Sequence, residues 1–329
     1  MPSRRSYRSE SRQGEPSKAN RIDTVATMNI QCGTAGWTDK TLVACKRFYP
    51  RGCSTAEARL RFYASQFPLV EVDSAYYGMP SASNSQLWAE RTPDGFTFNF
   101  KAFRIFTGHQ TSPDVLPKDI AMALSEPASS ARKKNLYYRD LPPEIRDELW
   151  RRYLEALEPL RQTQRLGAVL FQFAPWITRS PQDLALVAEC AARMAGYTMA
   201  VEFRNQSWLD ESHAPTTLAF LRERSLVHVI VDAPPDVKNR VHTVWEVTNP
   251  QLAMVRLHGR NTESWSPGAG ASASDRFNYD YNEAELAEIA VSIRAISTRA
   301  AKTHVIFNNC FEDQGQRNAL TMTDILVAT

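Results

Sequence analysis

The stretch "LAMVRLH" (residues 252–258) alternates between two kinds of surface. In a β-strand, successive side chains point to opposite faces. Ala253, Val255 and Leu257 therefore share one face, and Leu252, Met254, Arg256 and His258 share the other. The first face is apolar throughout, as expected beneath a layer of helices. The second starts apolar and ends in two basic groups. A stave of a closed barrel has this character: helices cover its outside, and its inner row fills the axis and reaches a mouth at the C-terminal end.

Seven other segments have strand composition: "MNIQCGT" (28–34), "LVEVDSA" (69–75), "FTFNFKA" (96–102), "AVLFQFA" (168–174), "MAVEFRN" (199–205), "VHVIVDA" (227–233) and "HVIFNN" (304–309). Helical patterns fill most of the gaps. Ser54 with Glu57, Ser180 before Pro181, and Asn282 with Glu285 each precede apolar residues spaced i, i+3, i+4, i+7. Strand–helix alternation predicts a parallel sheet. Eight such units predict one TIM-barrel-like (β/α)8 domain over residues 28–329 of a 329-residue chain. More than sixty residues separate the third and fourth strands. They predict a helical insertion at about 104–165, a small subdomain or lid containing "PPEIRDELWRRYLEALEPL" (142–160). Residues 261–280, with "SPGAGASAS", read as a loop after the seventh strand.

Charge limits the choice of partner. The formal net charge is +3, but residues 1–27 hold six Lys/Arg against Glu10, Glu15 and Asp23, leaving 33 basic and 33 acidic residues elsewhere. A nucleic-acid stripe across the body gains nothing from that balance. The Ser- and Arg-rich tail has little to bury and reads as disordered. No window reaches the ~18 apolar residues of a membrane span. Five irregularly spaced cysteines read as free thiols in a reducing compartment, with the cytoplasm expected. Cys32 and Cys310 lie on strands that neighbour each other in a closed barrel, so the two are expected to approach.

Parity across the strands gathers a polar ring on the inner face. Glu71, Asp73, Glu202 and Asp232 supply carboxylates, and His258 is the group expected to titrate near neutrality. Lys101, Arg204, Arg256 and Arg260 supply cations, while Gln172, Asn308 and Asn309 add neutral hydrogen-bonding groups. On the sixth strand, the same parity reading sends His228, Ile230 and Asp232 inward. Buried charges cost several kcal/mol each unless paired or solvated, so a ring of them at strand C-termini indicates a site.

The motifs "GTAGW" (33–37), "FYP" (48–50), "VEVDSAYYGMP" (70–80), "FTFNFKAF" (96–103), "LGAVLFQFAP" (166–175), "VEFRNQSW" (201–208), "VRLHGR" (255–260), "FNN" (307–309) and "NAL" (318–320) occur in order. Together they resemble the YecE-like family, a set of proteins classed as a domain of unknown function. The resemblance implies a TIM-barrel-like fold and brings no reaction with it. The chain departs from the family pattern at Ala35, at Asp39-Lys40-Thr41, and where Gly108 separates Thr107 from His109.

Guanidinium forks suit carboxylates and phosphates. The ring therefore predicts an enzyme acting by acid/base chemistry on a small polar anion, with Glu71, Asp73, Glu202, Asp232 and His258 as catalytic groups. Lys101, Gln172, Arg204, Arg256, Arg260, Asn308 and Asn309 are the expected substrate-binding groups. No cofactor is required; a divalent metal on Glu71, Glu202, Asp232 and His258 is the metal-dependent version. The other reading is a binding protein for nucleic acid or a phosphorylated ligand, resting on Trp37, Tyr76, Tyr77, Trp176, Trp208 and Trp265 as stacking surfaces. The absence of a dinucleotide glycine fingerprint, P-loop or serine elbow disfavours NAD enzymes, NTPases and α/β-hydrolases.

Overall fold

The structure, a computed structural model, describes residues 29–124, 135–234, 241–262 and 277–328. The basic tail (1–27), most of the loop after the seventh strand and its Trp265 lie outside them. Eight parallel strands close in sequence order: β1 Ile30–Ala35, β2 Leu69–Val72, β3 Thr97–Lys101, β4 Leu166–Gln172, β5 Thr198–Glu202, β6 Val227–Asp232, β7 Leu252–Leu257 and β8 Lys302–Phe307. β8 returns to β1 with Ile30 beside Thr303 and Thr34 beside Phe307. No described helix is long and apolar enough to cross a membrane.

Two apolar layers follow from strand parity. Inside, Ala35, Leu69, Ala168, Leu170, Ala200, Leu252, Met254 and Ile306 pack along the axis. Outside, Val70, Val72, Phe98, Phe100, Val169, Phe171, Val201, Val255 and Phe307 join the helices in the larger core. The axis is not apolar below the mouth, however. Asn99 accepts from the Ala168 amide at 2.9 Å and lies 3.1 Å from His304 Nδ1, so a polar pair occupies the lower interior.

β6 overturns its parity reading. Val227 and Val229 belong to the axial cluster, while Ile230 belongs to the outer one. Val231 pairs with Arg256, and Asp232 with Leu257, so Asp232 shares the outward face. Both faces of "VHVIVDA" contain apolar residues, and the outward polar groups find partners. Residues 241–249 run where a helix would otherwise lie, and the Val244 carbonyl sits 3.1 Å from His228 Nε2.

The region expected as a lid divides in two. The helix Pro143–Gln162, with Pro143 in its first turn, buries Leu149, Trp150, Tyr153, Leu157 and Leu160. It packs against the helix Ala82–Glu90 and β4, with Trp150 stacked at 6.0 Å on Phe171, and so takes the place of the barrel helix after β3. Only the chain before it is extra, and it ends in short helical turns at Pro113–Val115, Lys118–Ala123 and Tyr138–Asp140. Asn282 and Glu285 form the expected reciprocal cap, and Ser180 caps the helix Pro181–Arg193. In the helix Ala56–Ala64 the cap is Thr55, one residue beyond the Ser54 expected.

Candidate functional site

A buried ionic layer spans the axis at the tops of the strands. Arg256 donates from Nε and one terminal nitrogen to Glu71, at 3.1 and 2.5 Å, and from the other to Glu202 at 2.5 Å. All three side chains are wholly buried. The second oxygen of Glu202 accepts from Arg204 at 2.6 Å and Gln172 at 2.9 Å, and lies 3.2 Å from His258 Nε2. Asn308 approaches the other nitrogen of His258 at 2.7 Å. Burial alone would raise Glu202, but the charges of Arg204 and Arg256 hold it well below the usual carboxylate range. Glu71 goes the other way: burial raises it, and Arg256 and Lys101 offset that only in part. Burial, followed by the charge of Arg204, depresses His258 to about 3. The imidazole expected to titrate near neutrality is therefore neutral across the physiological range.

Above this layer lies a set of groups that solvent reaches. Lys101, at the end of β3, donates to Asp73 at 2.6 Å, and Asp73 is 28% exposed. Asp73 opens the short helix Ser74–Tyr77, which places the Tyr76 ring 4.6 Å from the Lys101 ammonium and 5.3 Å from the Arg104 guanidinium. Arg104 has no carboxylate partner among the described residues, and its buried Nε has no hydrogen-bond acceptor. At the end of the turn that Arg104 opens, Gly108 takes φ +78, and a side chain there would strike Ile177 at 2.7 Å. The turn folds His109 back over the mouth, 5.2 Å from Tyr76, with Nδ1 2.9 Å from the Thr107 hydroxyl. Burial, then the charges of Arg104, Lys101 and Arg204, depress His109 to about 3.

Not every expected site residue joins this assembly. Asp232 faces outward and is held by Arg260, at 2.8 to 3.1 Å through two guanidinium nitrogens, and by the Tyr281 hydroxyl at 2.7 Å. Gly259 at φ +86 turns the chain so that Arg260 reaches that outer carboxylate, and a side chain at Gly259 would meet Tyr279 at 2.6 Å. Asn309 also points away, donating to the Tyr279 carbonyl and the Asn318 amide oxygen. Of the two asparagines, only Asn308 reaches the ionic layer, through His258.

Arg256, expected to bind substrate, has no accessible surface and instead neutralises Glu71 and Glu202. Cys32 sits in the helix-facing core and Cys310 packs against the axial cluster, so the neighbouring strands turn these free thiols to opposite faces. Among the described residues no group of three His, Cys, Asp or Glu side chains could hold a metal ion. Trp208 is fully buried on Phe203, and Trp37 is nearly so, which removes both as stacking surfaces.

Sequence reading passed over Arg104 and His109 as site residues because both lie beyond β3, where strand parity assigns no face. The signal available was the density of basic and aromatic residues in "KAFRIFTGH" (101–109). Clefts of about 180 and 510 Å³ on the flanks are lined by no residue of the ionic layer.

Comparison with known proteins places this geometry among relatives. The family model described as "Protein of unknown function DUF72" matches residues 31–329. The UPF0759 protein YunF of Bacillus subtilis (strain 168) is 28% identical over 299 residues, covering 90% of this chain and 94% of that protein. A DUF72 family protein from Enterococcus faecalis has a crystal structure with TM-score 0.72 at 26% identity, over 90% of this chain and 95% of that one. A second, from Thermotoga maritima, gives TM-score 0.68 at 26% identity, over 90% and 98%.

Proposed function

We propose, for a chain that belongs to the DUF72 family of proteins of unknown function, an enzyme acting by acid/base chemistry on a small polar anion at the C-terminal mouth of the barrel. The observation that carries this reading is Arg104, a half-buried guanidinium without a carboxylate partner among the described residues, set beside Lys101 over the ring of Tyr76. A buried cation without an anion is costly, and a carboxylate or phosphate supplies what the chain does not. With Lys101, Arg204 and Arg256, the site holds four cations against the three carboxylates Glu71, Asp73 and Glu202, so the field at the mouth favours an incoming negative charge.

The proton-transfer groups follow from accessibility. Glu71, Glu202 and His258 are sealed beneath the mouth and act as positioning groups: Glu71 holds Arg256, and Glu202 and His258 keep Arg204 in place, with Gln172 on Glu202. Asp73 and His109 face the ligand space. The imidazole of His109 is neutral, with Nδ1 engaged by the Thr107 hydroxyl. An anion bound among the three nearby cations offsets the field that depresses this imidazole, which raises its basicity as the complex forms. Asp73, 2.6 Å from the Lys101 ammonium, is the second exchangeable group.

The test is calorimetric titration of the purified chain with inorganic phosphate and with malonate, followed by turnover assays on the ester or acid that binds. Arg104→Ala should abolish binding while leaving the circular dichroism unchanged. Equal affinity in wild type and variant would sink the reading. Tight, steeply salt-dependent binding of an oligonucleotide without turnover would replace it with the binding-protein alternative.

A further inference from the structure

We infer that the ligand of this mouth carries a flat ring beside its anionic group: an aryl or heteroaryl phosphate or carboxylate rather than a bare anion. The inference rests on the anion reading above and adds a second subsite to it. Four rings follow one another around the β2–β4 side of the mouth. Tyr77 meets Tyr76 edge-on at 5.0 Å, Tyr76 meets His109 at 5.2 Å, and His109 meets Trp176 at 5.8 Å.

The two ends of this arc are exposed, Tyr77 by 54% and Trp176 by 47%. The other exposed large apolar side chains among the described residues are Leu87, Met122, Val291 and Val327, none of them aromatic. Chance exposure of scattered residues needs no explanation, but here the exposed aromatics are joined to each other through the group that carries the cations.

The arc is also held in place. Trp176 donates its indole N–H to the Gly108 carbonyl at 3.0 Å, which satisfies its polar edge and leaves the apolar ring toward solvent. Gly108 belongs to the turn that seats His109, so the anion subsite and the exposed indole are positioned by one backbone segment. The charged groups lie within the arc: Lys101 and Arg104 both lie over Tyr76, its second ring. A ligand whose negative group reaches Arg104 would thus bring whatever is attached to it against an aromatic wall. A flat ring gains there from stacking and from the quadrupole of an edge-on neighbour.

The test compares two probes that share an anion and differ in the ring, phenyl phosphate and methyl phosphate, by calorimetry on the full chain. The expected result is about tenfold tighter binding of phenyl phosphate, the order of one stacked ring. Trp176→Ala should remove that preference, read as the ratio of the two affinities, and Tyr77→Ala supplies an independent surface variant should the first fold poorly. Arg104→Ala should weaken both probes. Equal affinity for the two probes, both lost with Arg104→Ala, would overturn the ring subsite and leave the anion reading standing. Binding of neither probe, or binding indifferent to Arg104→Ala, would overturn both.

Discussion

Arg256 clasps Glu71 through two guanidinium nitrogens, at 3.1 and 2.5 Å, with neither side chain touching solvent. Its third contact goes to Glu202, so one cation pairs with two buried carboxylates, the second of which Arg204 also holds. Removing Arg256 strands Glu71 and leaves Glu202 to Arg204 alone. We expect Arg256→Ala to lower unfolding stability by about 3–5 kcal/mol in urea titrations, as for other broken buried ion pairs. Arg256→Lys should recover only part of this, since an ammonium cannot form the fork. A variant of wild-type stability that only loses ligand would show Arg256 to be a binding group after all.

Arg104 stands in the opposite situation. It is partly exposed and makes no ion pair among the described residues, so Arg104→Ala should lower stability by no more than about 0.5 kcal/mol. Burial remains, but the same change removes the largest of the charge effects on His109, and the imidazole should titrate upward from about 3. Two-dimensional NMR of the histidine ring signals in wild type and variant reads this directly. An unmoved His109 would break the electrostatic link between them.

Phosphate binding should carry a proton with it. In the free protein His109 is neutral above about 3, and a bound anion raises its affinity for protons. Below about pH 6 phosphate is already singly charged, so binding at pH 5.5 should take up protons and tighten as pH falls further. Calorimetry in buffers of different ionisation enthalpy measures the uptake. Zero uptake in the wild type, matching that of His109→Gln, would remove His109 from the site.

Three buried imidazoles set an acid limit on the fold. Burial depresses His228 to about 4, and His258 and His304 to about 3. Between those values and about 6.5 the unfolded chain binds protons that the native chain refuses, so stability falls as pH drops through this window. Each imidazole contributes up to about 1.4 kcal/mol per pH unit. The raised Glu71 opposes this trend, and the lowered Glu202 reinforces it below the ordinary carboxylate range. Melting temperature should decline between pH 6.5 and 4; a flat profile there would mean these rings accept protons in the native state.

Asp232 tests the corrected face of β6. Asp232→Asn should leave anion binding intact and cost stability through its bonds to Arg260 and Tyr281, by about 1–3 kcal/mol. Loss of binding at unchanged stability would return Asp232 to the mouth.

Much of the site was legible where strands are long and one face is plainly apolar. On β2, β5 and β7, Val70 and Val72, Met199 and Val201, and Val255 and Leu257 mark the outside, which sends Glu71, Glu202 and Arg256 inward. β6 lacks that contrast, because valines alternate with His228, Ile230 and Asp232, and either face could fill an axis. Register with β7 settled it, through neighbours far away in sequence. Arg104, His109 and Trp176 were out of reach for another reason: they sit in turns, where no period assigns a direction.

By itself the sequence determined the eight-fold alternation, and with it the closed barrel and the end at which charges collect. Hydrophobic periodicity is a local property that every residue in a strand or helix must satisfy, so it is written along the chain. What only the tertiary structure decided was which charges cancel and which stay open. Glu71, Glu202 and Arg256 consume one another beneath the mouth, while Arg104 meets no carboxylate among the described residues. Charge pairing depends on distances of a few ångströms between residues up to 185 positions apart, and no local pattern encodes them.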